Sequence, residues 1–256
     1  MMKLDKQTTP NGLSLLDPMD YHKVVPWFDA LDLAAIQLDA LRESGDGKVF
    51  VDDPANPQAC WMLGDECYGY FAGNADAAGF ADAVLAYLMN QVLPARAPGD
   101  RQVILFSTSV GWQTLLDQKL GERGGFRIRR HNFAFEAAAF QNATAALPPL
   151  PEGYALRTLA EGKPDAGVFC GGELVSRCYA GFTGLAMAEI GVDTAEAHRC
   201  KGLALHTCSQ FIRNCLAAGL TPHWSCWDYN TPSVNLALRL GFLQLPDIEV
   251  NFCDLG

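Results

Sequence analysis

The segment 185–218 constrains the fold more than any other part of the sequence, because it predicts a strand, a loop and a helix in direct succession. Residues 185–193 are apolar on both faces of a strand apart from Glu189 and Asp193, which favours a central place in a sheet. Gly202 to Ala218 follows with the apolar stripe of an amphipathic helix. Together with the short strands and helices around it, the segment predicts an α/β (α+β) protein with a mixed sheet.

The loop that opens this helix, Arg199 to Ala204, has the composition of an anion site. Free N–H groups at the start of a helix can surround a phosphate, and the helix dipole adds to the attraction. Gly202 lets the backbone approach closely because it has no Cβ. Neither GxxxxGK[ST] nor GxGxxG occurs, which disfavours a P-loop nucleotidase and a Rossmann cofactor. From the residues alone, a pyrophosphate site and a structural basic helix start are equally open.

Composition and charge restrict the partners. The formal net charge of -10 argues against nucleic acid, which requires a basic face. No apolar run reaches the roughly 18 residues of a membrane span, and residues 1–12 lack the apolar core of a signal peptide. The nine cysteines include no CxxC pair and are expected as buried thiols in a reducing cytosol, without a metal. These observations predict a cytoplasmic protein without a nucleic-acid or membrane partner.

The pattern along the chain predicts two halves. A domain is expected at 1–141, a proline-rich linker at 142–151 and a second domain at 152–256. Each half closes in the same order, with a strand, a short polar link, a helix, a glycine and a strand. This order predicts a diverged internal repeat in which only the second copy keeps a phosphate loop. The second half is expected to hold strands at 154–159, 166–170, 174–181, 185–193, 223–227 and 248–253, and helices at 202–218 and 233–240.

The order of these motifs resembles the GNAT N-acetyltransferase superfamily. Arg-x-x-Gly-x-Ala at Arg199–Ala204 follows a strand and opens a helix, and the next strand is followed by Asn230, Ser233 and Leu240-Gly241-Phe242. The resemblance covers 172–242, and the N-terminal half matches in pattern only. It implies a GNAT fold with a mixed, mostly antiparallel sheet in the C-terminal half, preceded by a degenerate GNAT-like N-terminal half.

A narrower resemblance lies in the stretch PHWSCWD at 222–228. With Ser233 and Gly241-Phe242, it is similar to a bacterial GNAT subfamily related to the zwittermicin-resistance acetyltransferase. This resemblance implies a bacterial acyltransferase that uses acetyl-CoA as acyl donor and needs no metal.

The resemblance also implies a set of cofactor-binding residues. The loop N–H groups would hold the CoA pyrophosphate, and the strand before the loop would pair with the pantetheine arm and polarise the thioester carbonyl. Two polar residues after the next strand would contact the far arm of CoA. The implied residues are Ile190, Gly191, Val192, Asp193, Arg199, Cys200, Lys201, Gly202, Leu203, Ala204, Asn230 and Ser233.

Two residues are candidates for catalysis. Glu189 matches the strand position that supplies a general base in some GNAT enzymes, although a carboxylate in a solvated cleft or an ion pair is an equally strong interpretation. The tyrosine that often protonates the departing thiolate is replaced here by Ala237. Tyr229 lies near in sequence and is the candidate substitute, against the plainer interpretation of a partly buried loop tyrosine.

The favoured hypothesis is an N-acetyltransferase that transfers an acetyl group to the amine of a small molecule by direct attack in a ternary complex. Cys200 lies too far along the loop to act as an acyl carrier, and Cys226 is a remote alternative. A non-catalytic acyl-CoA-binding or protein-interaction module is the alternative, because the tyrosine is missing and only about six residues separate the first two strands of the second half. A purely structural domain is a third hypothesis. The acceptor, the acyl chain and the choice between monomer and homodimer are left open.

Overall fold

Two compact units make up the chain. The structure is a computed structural model that describes residues 12–29, 31–44, 48–64 and 68–254. The first unit contains the described residues up to Ile128 and those from Glu249 onward, and the second unit runs from Arg129 to Ile248. The N-terminal residues up to 11, on which the expectation of no signal peptide rests, lie outside the described part.

Both units combine helices with strands, so the predicted mixed α/β class is confirmed. The strands are β1 (Ser14–Leu15), β2 (Lys48–Val51), β3 (Ala59–Leu63), β4 (Tyr68–Gly73), β5 (Gln102–Ser107), β6 (Phe126–Ala134), β7 (Tyr154–Thr158), β8 (Ala166–Cys170), β9 (Glu173–Gly184), β10 (Met187–Thr194), β11 (Thr221–Trp227), β12 (Leu243–Gln244) and β13 (Ile248–Asp254). The α-helices are α1 (Asp32–Ser44), α2 (Phe80–Tyr87), α3 (Val110–Gly121), α4 (Ala137–Thr144), α5 (Leu203–Ala217) and α6 (Thr231–Arg239). Short 3-10 turns include Pro18–Lys23, Val25–Phe28 and Glu196–His198.

The first unit contains a sheet in the order β1-β2-β3-β4-β5-β13. Only the β4–β5 pair is parallel among those registered in this sheet, and helix α2 makes the crossover between these two strands. The core of the unit is aromatic, with Trp61, Phe71 and Trp112 fully buried in one cluster. Burial of this much aromatic surface is the main stabilising contribution to a unit of this size.

The second unit repeats the same arrangement. Its strands lie in the order β6-β11-β10-β9-β8-β7, with β12 also paired to β6. Only β10 and β11 are parallel, and helix α5 makes the crossover between them. This mixed, mostly antiparallel sheet confirms the prediction for the C-terminal half. Its core lies between the sheet and α5, with Phe211 and Ile212 fully buried.

Each sheet takes a strand from a distant part of the chain. Strand β13, the last in the sequence, pairs antiparallel with β5 in the first unit, through Phe252 opposite Ile104. Strand β6 pairs antiparallel with β11 in the second unit, through Cys226 opposite His131. The sequence predicted both strands but assigned each to the half in which it lies along the chain. Because of this exchange, the boundaries of the two compact units differ from those of the predicted domains 1–141 and 152–256.

The segment predicted as a linker, 142–151, lies inside the second unit. Its first residues complete helix α4, which Phe140 anchors in the core at 3% exposure. The Phe140 ring contacts Phe135 at a centroid distance of 5.9 Å. Leu150, at the other end of the segment, packs against a second small apolar cluster. The three prolines indicate an extended backbone, but these apolar anchors hold the segment to the unit.

No helix among the described residues is long and apolar enough to cross a membrane.

The turn after helix α6 supplies a test of packing in the second unit. Gly241 has φ +84°, and a Cβ added there would lie 2.6 to 2.8 Å from backbone atoms of Ala139 and Phe140 in α4. Gly219, after α5, has a similar φ of +72° but open space around it. We expect Gly241→Ala to lower the free energy of unfolding by about 3 kcal/mol, since it adds overpacking to backbone strain. Gly219→Ala should cost only about 1 kcal/mol. Urea unfolding followed by circular dichroism checks this, and equal losses would contradict the close packing of α4 on this turn.

Candidate functional site

The parallel pairing of β10 with β11 stops halfway along both strands. Met187, Ala188 and Glu189 pair with Thr221, Pro222 and His223, and the registered pairing ends there. Beyond this point β10 stays paired with β9 as far as Thr194, while β11 stays paired with β6 as far as Trp227. We call the resulting gap, between Ile190–Thr194 and Trp224–Trp227, the slot.

A β-bulge lies at the inner end of the slot. Ala188 pairs with Thr183 and Ile190 with Ala180, so Gly181 and Phe182 of β9 stand opposite Glu189 alone. A bulge of this kind bends its strand and increases the local twist. The bulge therefore coincides with the position where β10 leaves β11.

A cavity of about 610 Å³ opens along the slot. Ile190, Val192 and Thr194 border it from β10, and the start of α5 closes one end. The remaining lining residues come from β6, β11, the loop before α5 and helix α6; they are Arg130, Trp224, Ser225, Cys226, Trp227, His198, Arg199, Cys200, Asn230, Pro232, Ser233, Asn235, Leu236 and Arg239. The lining is mixed, with aromatic and aliphatic walls and a few polar groups, as in sites for small ligands.

The predicted anion loop lies at the end of this cavity. Cys200 and Gly202 have φ of +61° and +78°, which turn the backbone into the start of α5. Gly202 is the N-cap and supplies no capping side chain, so the first N–H groups of α5 have neither an intrahelical acceptor nor a side-chain cap. A Cβ on Gly202 would meet no atom within 4 Å. Glycine is therefore favoured there by the backbone conformation and not by crowding within the protein.

The two cations of the loop have different surroundings. Lys201 donates to the Tyr154 hydroxyl at 3.0 Å and to the Ala197 carbonyl at 3.0 Å, and it does not line the cavity. Tyr154 also forms a hydrogen bond with His198 Nδ1 at 2.9 Å. Arg199 lines the cavity and donates from Nε to the Thr194 carbonyl at 3.1 Å. Lys201 therefore fixes the loop, whereas Arg199 brings a positive charge to the cavity.

Glu189 lies on the opposite face of β10 from Ile190 and Val192. Those two residues pack toward the core that includes α5, and side chains alternate along a strand. Its carboxylate Oε1 is 3.8 Å from Arg130 Nη2, and both side chains are largely buried, at 15% and 10% exposure. Arg130 lines the cavity as well. The guanidinium therefore connects the cavity with the face that carries Glu189.

Arg130 is held firmly by β11. Its Nε donates to Ser225 Oγ at 2.9 Å, and its guanidinium lies 4.8 Å from the centroid of the Trp227 ring. A cation on the face of an aromatic ring in a partly desolvated site is stabilised electrostatically. Arg130 was not among the residues predicted from the sequence, because it lies on β6, which is remote along the chain and was assigned to the first half. The Arg129-Arg130 pair in an alternating strand was the only available signal.

Asn230 and Ser233, for which the resemblance implies contacts to the far arm of CoA, lie in the cavity wall. Asn230 caps helix α6, accepting from the Ser233 N–H at 3.3 Å. Ser233 Oγ accepts from Trp224 Nε1 at 3.2 Å. Both side chains thus have structural partners and also face the cavity. The two tryptophans of β11, Trp224 and Trp227, belong to the lining and were recognised in the sequence only as part of a motif.

The structure does not bring Tyr229 into the cavity. Its ring is 71% exposed and stacks on Trp227 at a centroid distance of 6.5 Å. It is absent from the cavity lining, although Trp227 is part of it. Ala237, on α6, is fully buried in the hydrophobic core of the second unit and has no group that could donate a proton. The acid role predicted for Tyr229 therefore finds no geometric support.

Two cysteines line the cavity, and only Cys226 is buried. Cys226 is 4% exposed, and burial raises the pKa of its thiol, although a hydrogen bond with Ser233 and the charge of Arg130 act in the opposite direction. Cys200 in the loop is exposed. Among the described residues, no group of three or more His, Cys, Asp or Glu side chains is arranged to hold a metal ion.

Comparison with known proteins finds similarity to acetyltransferases in both sequence and fold. The GNAT acetyltransferase family model matches residues 166–247. The chain is similar to the uncharacterized N-acetyltransferase YdfB of Bacillus subtilis (strain 168), with 26% identity over 94% of this chain and 98% of that protein.

Two solved structures share the fold. A GCN5-related N-acetyltransferase-like protein from Streptococcus suis 89/1591 has a TM-score of 0.65 at 22% identity, over 91% of this chain and 98% of that one. A tandem GNAT protein from the clavulanic acid biosynthesis pathway has a TM-score of 0.59 at 13% identity, over 95% and 98%.

The fold and the slot together define a protein of the GNAT fold. Residues 166–247 match the GNAT acetyltransferase family, and almost the whole chain is similar to a protein named as an N-acetyltransferase. Its place in a subfamily related to the zwittermicin-resistance acetyltransferase stays a prediction.

The two thiols near the site should differ sharply in reactivity. We expect iodoacetamide to modify Cys200 in the native protein and to leave Cys226 unmodified, because burial both hides the second thiol and raises its pKa. Peptide mass spectrometry measures both sites in one sample, and Cys200→Ser serves as the matched control. Rapid modification of Cys226 would contradict the enclosed position of this thiol.

Proposed function

We propose that this protein transfers the acetyl group of acetyl-CoA to the amine of a small molecule, by direct attack in a ternary complex. The observation that carries the proposal is the end of the β10–β11 pairing at Glu189 and His223. It leaves one backbone edge of β10 open beside a cavity that ends at the glycine-capped start of α5. An extended chain with a phosphate at one end matches this arrangement of strand edge and helix start.

Acetyl-CoA would be held mainly by backbone groups. The free edge of Ile190–Asp193 would pair with the amide groups of the pantetheine arm, much as an added strand does. The N–H groups of Cys200 to Ala204 would surround the pyrophosphate, and Arg199 would add charge from the cavity wall. Asn230 and Ser233 would contact the far arm. Lys201 would contribute indirectly, by its bonds to Tyr154 and Ala197 that shape the loop.

Glu189 is our proposed general base. Glu189 is the last β10 residue that pairs with β11, and its largely buried carboxylate lies 3.8 Å from Arg130, which lines the cavity. A carboxylate in this position could take the proton that the amine loses as it forms its bond to the acetyl carbon. The buried, hydrogen-bonded setting of Cys226 supports direct attack over an acyl-cysteine route.

We propose further that the first unit is a GNAT-like copy without a cofactor site. Helix α2 begins at Gly79 with φ +72°, which matches Gly202 at the start of α5 with φ +78°. The parallel pairing of β4 with β5, however, continues from Tyr68 to Phe71, so no slot opens there. The loop before α2 also carries Asp76 and no cation. These features support a shared ancestry and a lost site.

A cytoplasmic location is part of the proposal. The cysteines described by the structure are free thiols, most of them buried, which suits a reducing compartment. The net charge of -10 disfavours nucleic acid as a partner. The oligomeric state is left open between monomer and homodimer.

Binding of CoA can be measured without knowing the acceptor. We expect CoA at 100 times its dissociation constant to stabilise the protein by about 2.7 kcal/mol, seen as a rise in Tm. Gly202→Glu should abolish the rise, because it places a carboxylate where the pyrophosphate would lie. Gly162→Glu is the matched control, since Gly162 also has a positive φ of +75° and open surroundings.

A missing Tm shift in the wild-type protein would contradict the proposal and favour a purely structural domain. A shift that Gly162→Glu abolishes as completely as Gly202→Glu would show that general strain, and not the loop, is responsible. Binding of CoA without thiol release across a broad panel of amines would favour the alternative of a non-catalytic acyl-CoA-binding module.

The base can be tested once an active amine is known. We expect Glu189→Gln to lower kcat by about 100-fold with little change in CoA affinity, because a positioned general base contributes factors of this order. Glu173→Gln, at an exposed position of β9, is the control. Thiol release measured by a chromogenic disulfide gives kcat, and calorimetry gives the affinity. An unchanged kcat in Glu189→Gln would remove Glu189 from the mechanism.

A further inference from the structure

The side chain of one tyrosine in the second unit extends across β10, the strand that borders the slot. Tyr179 lies on β9 directly opposite Gly191 of β10. A Cβ added to Gly191 would lie 2.5 Å from Tyr179 Cζ and 3.0 Å from its hydroxyl oxygen. The phenol end of the side chain therefore rests above the β10 backbone, in the space that Gly191 leaves open. Any larger residue at 191 would displace the ring.

The Tyr179 ring also contacts a cation. The guanidinium of Arg177 lies 4.6 Å from the ring centroid. Arg177 is itself fixed by Asp193, to which its Nε and Nη2 donate at 3.0 and 2.9 Å. Asp193, Gly191 and Glu189 alternate along one face of β10. A cation stacked on an aromatic face stabilises this arrangement.

The Tyr179 hydroxyl and the Glu189 carboxylate share this face. Glu189 and Gly191 are two residues apart on one strand, which separates them by roughly 7 Å along the strand. The Glu189 carboxylate also lies 3.6 Å from the position of a Cβ on Gly181, the β9 residue two places beyond Tyr179. Two groups at this spacing can flank a single reacting centre at the edge of the slot. One would receive a proton and the other would give one.

The environment of Tyr179 keeps its proton on the phenol at neutral pH. Burial raises the pKa of Tyr179, and the negative charge of Asp193 raises it further, while Arg177 acts in the opposite direction. A group that must donate a proton has to be protonated in the resting enzyme. Neither Tyr179 nor Tyr229 lines the cavity, but Tyr179 reaches across β10 on the face that carries Glu189, whereas Tyr229 is 71% exposed.

We propose that Tyr179 is the general acid of the acetyl transfer, a role for which the sequence motif offers only Ala237. The inference rests on the proposed function. In the reaction, the amine nitrogen forms a bond to the acetyl carbon and gives a proton to Glu189. The carbon–sulfur bond breaks, its electron pair passes to sulfur, and the Tyr179 hydroxyl supplies the proton that makes the free thiol of CoA. The proton on Glu189 returns to the tyrosinate through solvent, so both groups recover their starting states.

The test compares two conservative variants in the full-length protein. We expect Tyr179→Phe to lower kcat for thiol release by about 100-fold, since it removes one hydroxyl and keeps the ring that contacts Arg177 and Gly191. The affinity for CoA, measured by calorimetry, and the Tm should stay at wild-type values. Tyr229→Phe is the matched control and should keep the wild-type kcat.

Gly191→Ala supplies a second variant that acts on the same contact. Its added Cβ would displace the phenol, so kcat should fall by a similar factor. In the double variant with Tyr179→Phe, kcat should be no lower than in Gly191→Ala alone, because both changes remove the same proton donor. If the loss of kcat in the double variant equalled the product of the two single losses, the two changes would act independently, and this would contradict the proposal.

The two proposals fail in different ways. Wild-type protein that binds CoA but releases no thiol with any amine overturns the proposed function, and the assignment of Tyr179 with it. An active wild-type protein whose kcat is matched by Tyr179→Phe overturns the assignment alone. A loss of kcat in Tyr229→Phe, with Tyr179→Phe unaffected, would transfer the role to the tyrosine first expected from the sequence.

Discussion

The early end of the hydrogen bonding between β10 and β11 is the constraint on which the site depends. Backbone N–H and C=O groups at a strand edge are strong donors and acceptors, and they are costly to bury without partners. At Glu189 and His223 the two strands separate, and a bulge in β9 lies at the same place. In our proposal the open edge of β10 receives the extended acyl donor, and the cavity that runs along it is lined by β6, β11, the loop before α5 and helix α6.

The comparison of the two units shows how small the difference between a site and a structural sheet can be. Both have a parallel pair of strands joined by a helix that begins at a glycine with positive φ. In the first unit the parallel pair is hydrogen bonded through Phe71, and aromatic rings fill the core beneath it. In the second unit the pair opens after three residues. Continued pairing satisfies the backbone internally, whereas interrupted pairing leaves it available for recognition.

Much of the fold and part of the site follow from local patterns. The strands from β7 to β11 and helices α5 and α6 lie within a few residues of their predicted positions, because their apolar periods and glycine ends are strong local signals. The anion loop was predicted for the same reason. The exchange of β6 and β13 was not, since nothing in a strand's own sequence specifies which distant edge it joins. Neither Arg130 nor the proposed acid Tyr179 could be predicted, because they lie on β6 and β9, the neighbours of the two strands that border the slot.

The sequence by itself determined the strand, the glycine loop and the helix, together with a carboxylate at the inner end of that strand. These depend on residues close along the chain, whose spacing fixes which backbone and side-chain groups face the same way. Only the tertiary structure decided which groups surround the carboxylate. Sheet register sets Arg130 beside Glu189 and Tyr179 above Gly191, and register between distant strands is settled by the packing of the whole core and not by local periodicity.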